Sequence, residues 1–160
     1  MTANTTNITF YLNTTTANWT EAEDACKRNG GHLAAFQSLE EQREVEQYYI
    51  VNGYLFPKFH KFYWSGLYVP KVWPYFKWIE PTFETPTSSN FAYWGSDVNT
   101  TEPDQKTGKE LCGGSNSTYV DVTDNTWGWG DYNCSSQQVY MCRIMRGWPV
   151  GWALGTASLE

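Results

Sequence analysis

Apolar residues recur at helical spacing in a segment that starts near residue 18. Asn18 is a residue type that caps helices, and Glu21 stands three residues later, the spacing of a capping box. One face of the predicted helix carries Trp19, Ala22 and Cys26. Gly30 and Gly31 follow, and glycine is the usual residue just past a helix end. The pattern predicts a first helix between these two signals.

A second helical segment starts at Ser38, where Glu41 again stands three residues later. The run extends to Val51 and is followed by Asn52 and Gly53, which can close a helix. One side of it carries Val45, Tyr48 and Tyr49. The first third of the chain is therefore predicted to hold two helices.

Short aromatic or β-branched runs, separated by Pro and Gly, replace the helical period elsewhere. The predicted strands are Ile8–Leu12, Tyr63–Tyr68, Tyr75–Ile79, Tyr119–Val122 and Val139–Cys142. Residues 80–118 are instead rich in Pro, Thr, Ser, Asn and Gly, and we predict a long loop there. A loop of that length in a compact domain is normally functional, and this one contains Cys112 and several carboxylates.

Length and charge limit the functions open to the chain. Its 160 residues fit one domain with its own core. Lys and Arg number 11 against 17 Asp and Glu, a net charge of −6 without a basic cluster, which argues against nucleic acid and anionic membranes. No run approaches the roughly 18 apolar residues of a membrane span. Nine Trp and eleven Tyr indicate tight packing, a stacking surface for ligands, or both.

We interpret residues 1–160 as a single domain with its core at about residues 8–145. The N-terminus shows no charged and apolar leader, so we expect that Met1 is engineered and that a signal peptide or preceding domains were removed. Residues 146–160 are interpreted as a tail of unassigned role, in which Leu159 and Glu160 derive from a vector.

The cysteines and the N-glycosylation motifs indicate an oxidising, extracellular setting. The cysteines are Cys26, Cys112, Cys134 and Cys142, and the sequence alone does not choose among their three pairings. They form no CxxC and have no nearby His, which argues against a zinc site. Seven N-x-Ser/Thr motifs begin at Asn4, Asn7, Asn13, Asn18, Asn99, Asn116 and Asn133. We expect a secreted glycoprotein or the ectodomain of a cell-surface protein.

Four carboxylates stand close to the cysteines in the second half of the chain: Glu102, Asp104, Glu110 and Asp131. Hard oxygen ligands on loops suit calcium, which takes about six to eight oxygens in a flexible shell. Without a cation, carboxylates held close together would repel one another. The sequence therefore predicts one calcium site at these residues. The alternative is a set of unrelated, solvated acids on a loop.

Seven motifs, in order along the chain, resemble those of C-type lectin domains. The helical and strand segments contribute Trp19–Cys26 (W-x-x-A-x-x-x-C), Gly31–Ala34 (G-H-L-A), Trp64–Leu67 (W-S-G-L) and Phe76–Ile79 (F-K-W-I). The later part of the chain contributes Glu102–Asp104 (E-P-D), Glu110–Cys112 (E-L-C) and Trp129–Cys134 (W-G-D-Y-N-C). The resemblance runs from about Phe10 to Arg143, most of the chain.

This resemblance implies a fold and a covalent frame. The fold is an α+β C-type lectin-like fold with two helices, two small antiparallel sheets and a long calcium-binding loop region. One implied disulfide joins Cys26 to Cys142 and ties the first helix to the last strand. The other joins Cys112 to Cys134 and holds the loop region.

By position, the resemblance also implies that calcium and sugar are bound by Glu102, Asp104, Glu110 and Asp131. Gly130 stands where the family has an Asn that coordinates the ion, and Asp104 replaces the Asn of E-P-N. Each change removes an amide donor to a sugar hydroxyl, so weaker or differently oriented sugar binding is expected. Leu111 stands where the family often has Asp, so no accessory calcium site is expected.

Aromatic and histidine residues can supply stacking or catalytic groups. Trp127 is a candidate for stacking on the apolar face of a sugar, with Trp94 and Tyr132 nearby in sequence, and core packing is the alternative. His32 and His60 are the only histidines, and no nucleophile motif accompanies them. We therefore expect no enzymatic activity.

The predicted function is calcium-dependent carbohydrate recognition by an extracellular lectin domain, with calcium as cofactor. The alternative is a calcium-independent protein-recognition module on the same fold. The implied partners are glycans or glycoproteins, with no nucleic acid and no direct membrane insertion. The sequence leaves oligomerisation open.

Overall fold

The two predicted helices form, each with its predicted N-cap. The structure is a computed structural model that describes residues 8–55, 60–69, 76–81, 83, 112–117 and 127–144, and the backbone of 158–159. Helix α1 spans Trp19–Arg28, and its capping box joins the Asn18 and Glu21 side chains to each other's backbone amides at 2.8 and 3.1 Å. Helix α2 spans Leu39–Val51 and begins after Ser38. Among the described residues, neither helix is long and apolar enough to cross a lipid bilayer.

Short strands make up most of the remaining regular structure. In chain order they are β1 (Thr9–Ala17), β2 (Gly31–Leu33), β3 (Phe62–Tyr68), β4 (Lys77–Trp78), β5 (Cys112–Asn116), β6 (Gly128–Tyr132), β7 (Gln138–Ile144) and β8 (Ser158–Leu159). The predicted first strand continues to Ala17, and the predicted strand Tyr119–Val122 lies outside the described residues. Strand β8 pairs with Phe10 and Tyr11, so this part of the predicted tail lies along the sheet edge.

The strands form two antiparallel sets. In one, β7 pairs with β1 and β2, and β1 pairs with β8. In the other, β3 pairs with β4 and β5, and β5 pairs with β6. A single parallel pairing, Trp64 on β3 opposite Tyr140 on β7, joins the two sets into one mixed sheet. The predicted α+β fold is confirmed, with its two small sheets linked at this position.

Strand β5 corrects the prediction of an unbroken loop over residues 80–118. Its sequence, C-G-G-S-N, lacks the β-branched and aromatic residues that favour strands. A Cβ on Gly114 would come within 2.2 Å of the Tyr63 carbonyl oxygen and 2.3 Å of the Phe62 ring. The close approach of β3 therefore requires glycine, and the same glycine hides the strand from sequence-based prediction.

Both implied disulfides are confirmed. Cys26 of α1 pairs with Cys142 of β7, with 5.5 Å between their Cα atoms. Cys112 of β5 pairs with Cys134, two residues past β6, with 5.2 Å between their Cα atoms. The first bond closes a loop of more than a hundred residues, which in the chain-entropy model destabilises the unfolded state by roughly 4–5 kcal/mol.

The core consists of two clusters, one under each helix. The predicted inner face of α1 is confirmed, since Trp19, Ala22 and Cys26 are buried with Trp64. On α2, Val45 and Tyr49 are buried in the other cluster, with Tyr48 packed at its edge. Three indoles of the later strands, those of Trp78, Trp127 and Trp129, complete that second cluster.

A buried polar network joins α2 to the second set of strands. Glu46, on the inner face of α2, is 2% exposed. Its Oε2 accepts hydrogen bonds from the hydroxyls of Tyr63 on β3 at 2.7 Å and Ser115 on β5 at 2.5 Å. Gln42, one turn earlier, donates to the same oxygen at 3.2 Å. The helix is thus held to β3 and β5 by hydrogen bonds as well as by packing.

Burial controls the protonation of Glu46. Desolvation raises the pKa of this carboxyl from 4.5 to about 7, although hydrogen bonds from Ser115, Tyr63 and Gln42 oppose the shift. Its other oxygen, Oε1, accepts no hydrogen bond from the described residues. Burial is the main cause that raises the pKa of the Tyr63 hydroxyl, and the charge of Glu46 raises it further. Tyr63 therefore keeps its proton and donates to Glu46. Glu46 is therefore the described carboxyl most costly to ionise in the folded protein.

The raised pKa predicts a pH dependence of stability that Glu46→Gln should remove. The unfolded chain loses this proton at a lower pH than the folded chain, so the contribution of Glu46 to the unfolding free energy falls as pH rises from 4.5 to about 7. The full effect is about 3 kcal/mol. We expect the stability of Glu46→Gln relative to wild type to rise by that amount between pH 4.5 and 8, measured by urea unfolding in chelator.

Glu44→Gln is the matched control, because Glu44 is exposed on the same helix. It removes the same charge and should leave the pH dependence of the wild type unchanged. A parallel pH dependence in wild type and Glu46→Gln would show that the pKa of Glu46 is the same in the folded and the unfolded protein.

Candidate functional site

Asp131 is the predicted calcium ligand that the structure describes. It lies on β6 opposite Gly113 of β5, and its side chain is 2% exposed. The other three predicted ligands, Glu102, Asp104 and Glu110, lie outside the described residues. Within the described residues, no three His, Cys, Asp or Glu side chains lie close enough together to hold a metal ion. The predicted ligand set therefore remains a prediction.

The β5–β6 hairpin positions Asp131. The two strands pair in unbroken register from Cys112 opposite Tyr132 to Asn116 opposite Gly128. The disulfide from Cys112 to Cys134 locks the end of this ladder that is nearest to Asp131. Because the side chains of a strand alternate, Asp131 lies on the same face of β6 as Trp129. That face packs into the cluster under α2.

Gln42 connects α2 to the start of β6. Its Nε2 donates to the carbonyl of Trp127 at 2.9 Å, and its Oε1 accepts from the indole N–H of Trp129 at 2.8 Å. A buried amide with both ends satisfied fixes the orientation of its partners. The backbone carbonyl four residues before Asp131 and the indole two residues before it are therefore held by a helix that is distant in sequence.

The network of Gln42 and Glu46 was not predicted from the sequence. A signal was present, because Gln42 and Glu46 fall on the same helical stripe as Val45 and Tyr49. Two polar residues at core positions of an amphipathic helix indicate buried hydrogen-bond partners, since burial without them is costly. Their partners come from β3, β5 and the start of β6, and only the folded chain brings these together.

The segment that carries the remaining predicted ligands, residues 84–111, has fixed flanks. On the N-terminal side, Glu80 pairs with the buried Arg143 of β7 at 3.7 Å. The Arg143 guanidinium also lies 4.8 Å from the centre of the Phe83 ring, which meets Trp78 edge to face at 6.5 Å. On the C-terminal side, Cys112 is bonded to Cys134. The chain thus leaves and re-enters the described fold at two anchored points.

The aromatic candidates divide by burial. Trp127 is 2% exposed and packs against Tyr63 at 6.0 Å between ring centres, which favours core packing over sugar stacking. Trp129 is buried against Trp78 at 5.1 Å. Tyr132 is partly exposed and packs on Phe62, while its hydroxyl accepts from the Asn116 amide. Trp94 lies outside the described residues.

The chemistry of the described donors suits a hard cation. Asp131 offers carboxylate oxygens at the anchored end of a hairpin, the kind of ligand that calcium prefers. Gly130 offers only its backbone, and it pairs with Gly114 within the ladder. The position next to Asp131 therefore contributes no side-chain amide.

Comparison with known proteins identifies the family. The family model of the lectin C-type domain matches residues 15–144. The mouse C-type lectin domain family 4 member A is 29% identical over 132 residues, which are 81% of this chain and 45% of that protein. Its human counterpart is 25% identical over 137 residues, covering 86% and 49%. The chain thus spans about half the length of these two relatives.

Solved structures agree with the fold. The C-type lectin domain of murine dendritic cell inhibitory receptor 2, in complex with an N-glycan, is 25% identical with a TM-score of 0.60, covering 86% of this chain and 90% of that one. Human lithostathine is 18% identical with a TM-score of 0.66, covering 91% and 92%. The lithostathine similarity shows the fold alone.

The domains of this family are non-enzymatic binding modules, and the family supports carbohydrate recognition as a general role. The motifs, the fold, both disulfides and the family match at residues 15–144 agree. The chain therefore belongs to the C-type lectin family and is a C-type lectin-like domain.

Proposed function

We propose that this domain recognises glycans in a calcium-dependent manner through one ion held by Glu102, Asp104, Glu110 and Asp131. The observation that carries the proposal is the placement of Asp131. Its carboxylate is buried on the hairpin that the disulfide from Cys112 to Cys134 closes. A carboxylate is a costly group to bury unless hydrogen bonds or a cation compensate for lost solvation.

Chain connectivity supports the inclusion of Glu110. It precedes Cys112 by two residues, and two residues span at most about 7 Å. Cys112 lies opposite Tyr132, which directly follows Asp131. A ligand from the segment before β5 and a ligand from β6 can therefore meet at the anchored end of the hairpin.

The four carboxylates would repel one another without a cation, so they would act as one coupled unit. A bound calcium ion would offset their charge and supply coordination positions for two neighbouring sugar hydroxyls. The carboxylates would orient these hydroxyls by accepting their hydrogen bonds. This division of roles needs no amide donor, although an amide would add affinity.

The relatives support a glycan as the ligand. The murine dendritic cell inhibitory receptor 2 domain, 25% identical to this chain, was solved with an N-glycan bound. We propose the same ligand class here, carried by free glycans or glycoproteins outside the cell. Glu102 resembles the head of the mannose-type E-P-N, which favours the equatorial vicinal hydroxyls of mannose or fucose, whereas Asp104 resembles the galactose-type ending.

Calcium-independent protein recognition on the same fold is the second candidate. The burial of Trp127 favours it, because that indole has no exposed face on which a sugar could stack. Gly130 favours it as well, since it removes a family ligand. Under this alternative, the acids would form an interface patch or would have no role in binding.

The first prediction concerns the ion. Calcium should bind one to one by calorimetry, and Glu110→Gln should weaken binding at least about tenfold, because even indirect partners of a metal site are worth that much. At a calcium concentration about 100 times Kd, binding should stabilise the fold by about 2.7 kcal/mol, a rise of several degrees in Tm.

The control variant is Glu40→Gln, because Glu40 is exposed on α2, and it should behave as wild type. A melting curve that millimolar calcium leaves unchanged would favour protein recognition.

The second prediction concerns the sugar. The double variant Asp104→Asn with Gly130→Asn should restore two donors and strengthen calcium-dependent mannose binding about tenfold. Gly130 lies in an extended strand and is not among the described glycines with positive φ, so its backbone accepts Asn. The measurement is a glycan-binding isotherm with and without chelator.

A matched control separates the effect of the amide added at residue 130 from the effect of replacing glycine there. Asp104→Asn with Gly130→Ala adds a side chain at residue 130 without a donor, and it should bind less tightly than the Asn pair. If the Asn pair keeps calcium but binds mannose no better than wild type, the sugar contacts inferred from the family are wrong.

A further inference from the structure

Four of the seven N-glycosylation motifs begin within the described residues, and the fold treats them differently. They begin at Asn13, Asn18, Asn116 and Asn133. N-linked glycans are attached to the side-chain nitrogen Nδ2 of Asn while the chain enters the secretory pathway. The folded protein must then accommodate the sugar, so burial and hydrogen bonding at Nδ2 decide which motifs are compatible with the fold.

Asn13 can carry a sugar without loss of any contact. It lies on β1 where the strand passes from buried to exposed residues, and Thr14, Thr15 and Thr16 after it are exposed. Its Oδ1 accepts from the Thr15 backbone amide at 2.9 Å. Its Nδ2 donates no hydrogen bond within the described part of the chain. The contact that Asn13 makes is therefore independent of the nitrogen that would bear the glycan.

Asn18 can also carry a sugar without loss of a contact, because its side chain caps the helix through Oδ1. As the N-cap of α1 it uses Oδ1, which accepts from the Glu21 amide at 2.8 Å, while Glu21 bonds back to the Asn18 backbone. Its Nδ2 has no hydrogen-bond partner among the described residues, and Thr20 of the motif is exposed. The cap and a glycan can therefore coexist on one side chain.

Asn116 is the opposite case. It is 7% exposed, and the next residue, Ser117, is equally buried. Asn116 pairs with Phe62 on β3 and with Gly128 on β6, so strands flank it on both sides. Its Nδ2 donates to the hydroxyl of Tyr132. A sugar on this nitrogen would displace that hydroxyl and the ring of Tyr132, which packs on Phe62.

We propose that the secreted, folded protein carries N-glycans at Asn13 and Asn18 and none at Asn116. This rests on the extracellular setting proposed above. The donor is an oligosaccharide linked to a lipid pyrophosphate. The bond from the anomeric carbon to the pyrophosphate oxygen breaks, and a bond from that carbon to Nδ2 forms. Nδ2 loses one proton, which is released to solvent together with the lipid pyrophosphate.

The two glycans would cover one identifiable surface. Ala17, between them, pairs with Gln138 at the start of β7, and the Trp19 amide donates to the Cys134 carbonyl at 3.0 Å. The end of β1, the start of α1 and the turn between β6 and β7 are therefore neighbours. Sugars on this surface would keep it hydrated and free of close protein contacts.

The experiment is site mapping on protein secreted from mammalian cells. Glycans are released by peptide N-glycosidase in water labelled with oxygen-18, which converts each occupied Asn to a labelled Asp that mass spectrometry detects. We expect label at Asn13 and Asn18 and none at Asn116. Absence of label at Asn13 or Asn18 would overturn the proposal, as would label at Asn116 in molecules with both disulfides formed.

Two variants remove the motifs without touching the Asn side chains. Thr15→Ala and Thr20→Ala should each lower the intact mass by one glycan. Tm should be nearly unchanged, because Asn13 Oδ1 accepts from the backbone amide of residue 15, which alanine keeps, and Asn18 Oδ1 accepts from the Glu21 amide. An unchanged intact mass in either variant would contradict the proposal.

A third variant leaves Asn116 as the one intact motif. The other motifs are removed by Asn4→Gln, Asn7→Gln, Thr15→Ala, Thr20→Ala, Asn99→Gln and Ser135→Ala. The secreted protein should carry no glycan, and a glycosylated, disulfide-bonded product would overturn the proposal. If this variant is not secreted, the glycosylation sites mapped on the wild-type protein still decide whether the proposal holds. Calcium and glycan binding of enzymatically deglycosylated protein test the proposed function separately.

Discussion

The contact between α2 and the glycine-rich β5–β6 hairpin is the interaction on which the rest of the candidate site depends. Gln42 and Glu46 make it through buried hydrogen bonds to Ser115, Trp129 and the Trp127 carbonyl. Apolar packing alone is not directional, whereas a satisfied buried amide or carboxyl sets one orientation. The network therefore defines where β6 lies, and Asp131 is fixed with it. The cost of this arrangement is a carboxyl whose ionisation the core resists.

The fold fixes the described residues on both sides of the segment that spans residues 84–111. Arg143 binds Glu80 and covers the Phe83 ring on one side, and the bond from Cys112 to Cys134 closes the other. Loops that carry function are commonly positioned in this way by a rigid scaffold. The segment between these anchors holds three of the four predicted calcium ligands. A disulfide and a buried ion pair thus hold the two flanks of this segment in the described fold.

Dependence on calcium distinguishes the two candidate functions. Under the proposed function, a cation must first offset the charge of the carboxylates, so calcium binding and glycan binding would be lost together. Trp127 adds no stacking surface, because it is part of the core that supports β6. In the proposed site, affinity would come from the ion and from acceptor hydrogen bonds.

The sequence by itself determined the two helices and their caps, because these depend on local periodicity. It also determined the family and the disulfide frame that the family motifs imply, because the motifs consist of residues at recognisable spacing. It did not reveal β5 or β6, because their glycines oppose strand propensity; the close approach of β3 requires one of them, Gly114 of β5. It also left the role of Trp127 and the difference between Asn18 and Asn116 open. Tertiary structure decided these, because burial and the partners of Gln42, Glu46 and Asn116 come from strands distant in sequence.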